Sequence, residues 1–133
     1  MKGYEVKLVN TLRELTAKEK VKFKMAQDLQ SLNDLVKTAP VEMKIHNVVT
    51  LDIHNPQTKE RDKDGNQIKV EKDYTRFIIE DKEGILYQTS SESLYESLML
   101  IIGELELEED YEVRILAMPS TNFAGNFLTA ELV

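Results

Sequence analysis

From Val41 onward the chain carries three runs of strand-like alternation, one run of helical spacing, and two more strand-like runs. Few small folds accept that order. Met43, Ile45, Val49, Leu51 and Ile53 fall on odd positions, which predicts a long first strand over 41–54 with these side chains on one face. Asn55-Pro56 ends it, and the polar stretch 56–72 reads as a loop with its turn at Asp64-Gly65-Asn66. Residues 74–79 give the second strand, 81–84 a tight turn and 85–89 the third strand. Capping-box spacings at Thr89…Glu92 and Ser93…Glu96 mark a helix start, and Leu94, Leu98, Ile101, Ile102 and Leu105 make its apolar stripe. Residues 111–117 and 127–133 give the fourth and fifth strands.

Strand-strand-strand-helix-strand-strand is the order of the five-stranded OB-fold barrel, whose common task is to hold oligonucleotides or oligosaccharides. The expected fold is therefore mainly β with one or two helices: a β-β-β-α-β-β barrel over 41–133 and an N-terminal strand/helix extension over 1–40, packed on or near it. A first strand that serves both halves of a barrel has to bend. In the extension, 4–9 reads as a short strand. Lys20-Val-Lys-Phe-Lys-Met25 alternates strictly, which predicts a second strand with Lys20, Lys22 and Lys24 on one face. Leu29, Leu32 and Val36 space like one face of a helix over 26–37, closed by Pro40. Thr16-Ala-Lys-Glu19 has capping-box spacing without a clear helical run behind it.

The chain has 133 residues and a net charge of −7, which argues against a generic polyphosphate binder. The charge is uneven. Residues 1–24 hold seven Lys/Arg against three Glu, whereas 103–133 hold one Arg against seven acids. One basic face is compatible with the total. There is no Cys, which excludes disulfides, thiolate catalysis and Cys-based zinc sites and fits a reducing, cytoplasmic setting. No apolar run nears the roughly 18 residues of a membrane helix, and the N-terminus lacks the apolar core of a signal peptide.

Sequence-tolerant binding of single strands needs cations for phosphates and flat side chains for bases. Alternation puts Lys44 and His46 opposite Met43 and Ile45, Tyr74 and Arg76 opposite Phe77 and Ile79, Arg114 opposite Val113 and Ile115, and Phe127 opposite Leu128. The loop before the last strand contains Asn122 and Phe123. Tyr87 suits either the core or a ligand. The Lys20/Lys22/Lys24 face suits phosphates or a lysine-protected edge strand. Against these stands the plain reading that barrels carry polar residues outward, and that Tyr74 or Phe127 packs under the N-terminal segment.

Other chemistry has thinner support. Glu60-x-Asp62-x-Asp64-Gly65-x5-Glu71 has calcium-loop spacing, but its flanks read as strands. His46, Asp52 and His54 form a conceivable metal set spread too far along one strand. There is no phosphate-binding Gly-rich loop or nucleophile elbow. Nothing here calls for an enzyme, a cofactor or a metal.

The stretches Val49-Thr-Leu-Asp-Ile-His54, Tyr74-Thr-Arg-Phe-Ile-Ile-Glu-Asp81, Gly84-Ile-Leu-Tyr-Gln-Thr-Ser-Ser91 and Met118-Pro-Ser-Thr-Asn-Phe-Ala-Gly125 cover the last 90 or so residues diffusely. In them the chain resembles the small OB-fold single-stranded DNA-binding proteins encoded by bacteriophages of Gram-positive hosts. The resemblance implies a protein that coats and protects transient single strands during phage DNA replication in the host-cell cytoplasm. It also implies that an acidic total is no bar to binding. Expected partners are single-stranded DNA, with RNA, a second copy of the chain and replication proteins as further ones, and no membrane. Two rival readings stay open: an acidic protein-interaction module or host-enzyme inhibitor, favoured by the acidic 104–112 stretch, and a metal-dependent nuclease using His46, Asp52 and His54.

Overall fold

The strand that begins the expected barrel breaks into two pieces that serve two sheets. The computed structural model describes residues 5–27, 29–119 and 126–133, with the backbone alone for 57–60 and 69–72. Strand β3 (Val41–Met43) stops at Lys44 and β4 (Ile45–Arg61) continues. β3 pairs with β7 (Val113–Pro119), which pairs with β8 (Asn126–Leu132), in a three-stranded sheet. β4 pairs with β5 (Gln67–Asp81), which pairs with β6 (Leu86–Thr89).

The N-terminal residues complete the larger sheet on both edges. β1 (Glu5–Thr11) runs antiparallel to β4, and β2 (Gln30–Ser31) runs parallel to β6, giving the order β1-β4-β5-β6-β2. The expected closed barrel is therefore corrected to a mainly β chain of two sheets. The edge of β6 that would meet the last strand is taken by β2. On the other side of this seam, β8 is sealed by helix α3 (Glu92–Leu105). Ser93 Oγ donates to the Leu128 carbonyl at 2.8 Å, and the Ala130 N–H donates to Ser97 Oγ at 2.9 Å. Two hydroxyls one helical turn apart thus take the place of a neighbouring strand.

Among the described residues three helices form, rather than one or two. The run Lys20–Met25, read as a strand from its alternation, lies in α1 (Ala17–Lys24) and its C-cap. The local signals that win are the capping box and the dipole. Thr16 Oγ1 accepts from the Glu19 N–H while Glu19 returns a bond to the Thr16 N–H, and Lys22 and Lys24 sit in the last turn. Only Phe23 of the expected apolar face is buried; Val21 and Met25 are 54% and 71% exposed. The expected helix over 26–37 shrinks to α2 (Leu32–Leu35). The expected polar loop over 56–72 is instead the outer half of the β4–β5 hairpin, turned at 62–66 by the Asp62 carboxylate, which accepts from the Asp64 and Asn66 N–H groups. Strands, not helices, flank the sequence with calcium-loop spacing.

Two cores lie on opposite faces of the β4–β5–β6 sheet. The first joins Met43, Ile45, Val48, Ile79 and Tyr87 to Leu94, Leu98 and Ile102 of α3 and to Val113, Ile115 and Leu128. The second joins Val49, Leu51, Ile53 and Ile78 to Leu15 and Phe23. The odd-numbered series was expected on one face, but it changes sides at a bulge between Ile45 and Asn47. The extra residue there inverts every later side chain. Asn47 is only 1% exposed and anchors the bulge. Its Oδ1 accepts from the N–H groups of Leu12 (3.2 Å), Arg13 (3.1 Å) and Val48 (2.9 Å), and its Nδ2 donates to Thr11 Oγ1 (3.0 Å).

Asn47→Ala removes the side-chain acceptor for these N–H groups, of which Leu12 keeps a second acceptor at the Val48 carbonyl (3.3 Å), and is expected to lower the unfolding free energy by about 1–3 kcal/mol. Phe23→Ala opens the second core and is expected to cost about 3–5 kcal/mol. Urea denaturation followed by circular dichroism measures both, and a loss below half a kilocalorie from Phe23→Ala contradicts a real core under α1.

Candidate functional site

Tyr74 and Arg76 project from the face of β5 that also carries Ile78 and the second core. Tyr74 packs against the edge of that core, as one sequence reading held. The Arg76 guanidinium lies 5.9 Å from the Tyr74 ring centroid, and its Nη2 donates to Tyr74 Oη at 3.4 Å. Beside them the short β2–α2 segment approaches β6. Ser31, Asn33, Tyr74, Arg76, Gln88, Thr89 and Ser90 line a groove of about 290 Å³ there. Thr89 Oγ1 donates to Asn33 Oδ1 at 2.9 Å and accepts from the Ser91 N–H at 3.1 Å. That bond turns the Asn33 carboxamide oxygen to Thr89, and its NH₂ has no hydrogen-bond partner among the described residues.

Among the described residues the groove has no carboxylate in its lining. Other hollows differ: one, which shares Tyr74 with the groove, is lined by Glu5, Asp52 and Asp73, another by Glu42, Asp81, Glu83 and Glu112, a third by Glu14, Glu106 and Glu108. In a chain of net charge −7, a lining without acids opposes a polyanion less than those hollows do. Helix α1 covers the same sheet face through Phe23, and Lys18, Lys20 and Lys24 make no ion pair among the described residues. Lys22 is committed to Glu80 at 3.3 Å.

The remaining sequence candidates scatter. The Lys44 ammonium pairs with Asp110 at 2.7 Å. Arg114 is clasped by Glu42 at 3.1 Å and Glu131 at 3.0 Å on the outer face of the small sheet. Hydrogen bonds to Glu131 and Glu42 push its guanidinium pKa above the usual value. Tyr87 belongs to the first core, 8% exposed, with its hydroxyl on Asp81 Oδ2. Burial, then the Asp81 charge, raises its pKa. His46 stands at the bulge, 4.0 Å from Glu80. Phe127 is 41% exposed and lies across from Met118 on the small sheet. Asn122 and Phe123 fall outside the described residues.

The bulge also separates His46 from Asp52 and His54. The latter two line a groove with Glu5, Lys7, Asp73 and Thr75, in two cross-strand rows. His54 Nδ1 pairs with Asp73 at 2.5 Å, Thr75 Oγ1 donates to Asp52 at 3.2 Å, and His54 Nε2 is buried without a hydrogen-bond partner. Among the described residues no three His, Asp or Glu side chains converge to hold a metal ion. Nor is any helix among them long and apolar enough to cross a membrane.

Asn33, Gln88, Ser31 and Ser90 were not singled out from the sequence. Gln88 had a usable signal, since it alternates with buried Tyr87 and Thr89. Asn33 had none, because only the parallel β2–β6 pairing brings it there. Comparison with protein-family models, curated proteins and solved structures finds no match for the chain.

The Lys44–Asp110 pair gives a pH test. The hydrogen bond from Lys44, then its charge, holds the Asp110 carboxyl below the usual carboxylate range. A depressed carboxyl pKa stabilises the fold above the unfolded value, and that contribution fades as pH falls through the folded value. Lys44→Met is expected to move the Asp110 titration up toward the ordinary Asp range, followed by carboxyl ¹³C shifts. An unmoved titration contradicts the pairing.

Proposed function

We propose that this chain is a non-enzymatic, sequence-tolerant single-stranded DNA-binding protein on an OB-type frame that is open between β6 and β8. The observation that carries the reading is the carboxylate-free groove where Tyr74 offers a ring and Arg76 a cation. The strand order β4-β5-β6, the helix before the last hairpin and the shared first strand support the OB-type frame. The resemblance to phage single-stranded DNA-binding proteins supports a coating role during phage replication in the host cytoplasm. Phosphates meet Arg76 and the Lys18, Lys20 and Lys24 side chains on the same sheet face. Lys44, Arg114 and Tyr87 drop out of the proposed contact set, because acids or the core already engage them. Phe127 remains a second stacking platform.

A protein-interaction module is the second reading, favoured by the apolar hollow at Tyr95, Met99 and Leu100 on α3, where Leu100 is 75% exposed. Fluorescence anisotropy with a labelled dT₁₅ at low salt separates the two. Base–aromatic stacking is worth about 1–3 kcal/mol per base, so Tyr74→Ala is expected to weaken binding roughly 5- to 150-fold. Arg76→Ala is expected to weaken it and flatten the salt dependence, while Arg114→Ala leaves affinity within about twofold. Absence of binding at tens of micromolar protein favours the interaction module.

A further inference from the structure

The groove at Tyr74 and Arg76 is not only free of carboxylates; its free polar atoms are mostly donors. Arg76 carries five N–H donors and no acceptor, and one of its nitrogens is engaged with Tyr74 Oη. The Asn33 oxygen is engaged by Thr89, so the side chain offers its NH₂. Thr89 is spent in both directions, on Asn33 and on the Ser91 N–H. Gln88 contributes a donor pair and one acceptor, and Ser31 and Ser90 contribute hydroxyls that serve as either.

Nucleobases divide on this point. Thymine and uracil carry a keto O4, and guanine carries O6 and N7, all acceptors. Adenine and cytosine keep ring-nitrogen acceptors but place an N6–H₂ or N4–H₂ donor where guanine and uracil have the keto oxygen. An amino group turned toward Asn33 meets donors and loses its own hydrogen bonds to water without replacement. Unpaired polar groups in a contact cost more than a good pair gains.

We propose that this groove reads a keto-bearing base, with Asn33 and Gln88 as specificity-determining residues, so that the protein prefers uracil, thymine or guanine to cytosine or adenine. This rests on the single-strand-binding reading above. A base stacked on Tyr74 directs its keto oxygen to the Asn33 N–H groups, with Arg76 left to an adjoining phosphate. The competing use of the same donors is a phosphate oxygen, which would bring affinity without base discrimination.

The test compares d(U)₁₅ with d(C)₁₅ by fluorescence anisotropy at low salt and pH 8, where cytosine is unprotonated. Both are pyrimidine strands of the same length, and the groups at C4 and N3 distinguish the bases. A 15-unit abasic strand reports phosphate contacts alone. The expected result is at least fivefold tighter binding of d(U)₁₅, with the abasic strand weakest. Asn33→Asp keeps an acceptor for Thr89 but replaces the free NH₂ with an acceptor. It is expected to bring the U/C ratio below two, with an unchanged circular dichroism spectrum. Equal affinity for d(U)₁₅ and d(C)₁₅ overturns base reading while leaving single-strand binding standing. A U/C ratio unchanged by Asn33→Asp overturns the assignment to this groove. No binding of any strand removes the underlying function as well.

Discussion

A single buried carboxamide holds two halves of this molecule in register. Asn47 sits in the bulge that lets one strand change the face it presents, and it accepts the backbone N–H groups where β1 gives way to the α1 approach. Without the bulge, Val49, Leu51 and Ile53 would share a side with Ile45 and be lost from the core that Phe23 covers. A buried amide of this kind is costly unless satisfied, and here its oxygen meets three N–H donors. The position of α1, and hence of its lysines, follows from this one polar contact.

Hydrophobic spacing revealed the order of elements from residue 41 onward, because each of those strands buries at least one face. It misjudged the places where another force decides. The adjacent Val48 and Val49 were the only hint of the bulge, and an odd-numbered apolar series hides an inversion midway. In α1 the lysine alternation imitates a strand, while the capping box and the helix-forming Ala, Lys and Glu residues carry the true signal. The β4–β5 arm over 55–72 has no apolar face to read, since its two strands pair chiefly with each other. Among site residues, Tyr74 and Arg76 were legible from alternation. Pairing with acids at Lys44 and Arg114 was not, since Asp110 and Glu131 are distant in sequence.

Charge distribution matters more here than the total. Acidic side chains are spent locally on Lys22, Lys44 and Arg114, neutralising cations that a count would credit to ligand binding. Among the described residues Lys18, Lys20 and Lys24 of α1 are left without an acidic partner. Net charge describes how a molecule behaves at a distance; a ligand at contact meets only the side chains left without a partner.

The two serines of α3 set a limit on how this protein can meet others. A foreign strand seeking the flank of β8 would find the Leu128 oxygen and the Ala130 hydrogen already engaged. Aggregation through that margin is thus blocked by hydroxyl chemistry on a helix, without the lysines or prolines that exposed margins commonly carry. Replacing either serine with alanine would cost more than one bond, because it would reopen a docking rail along the seam.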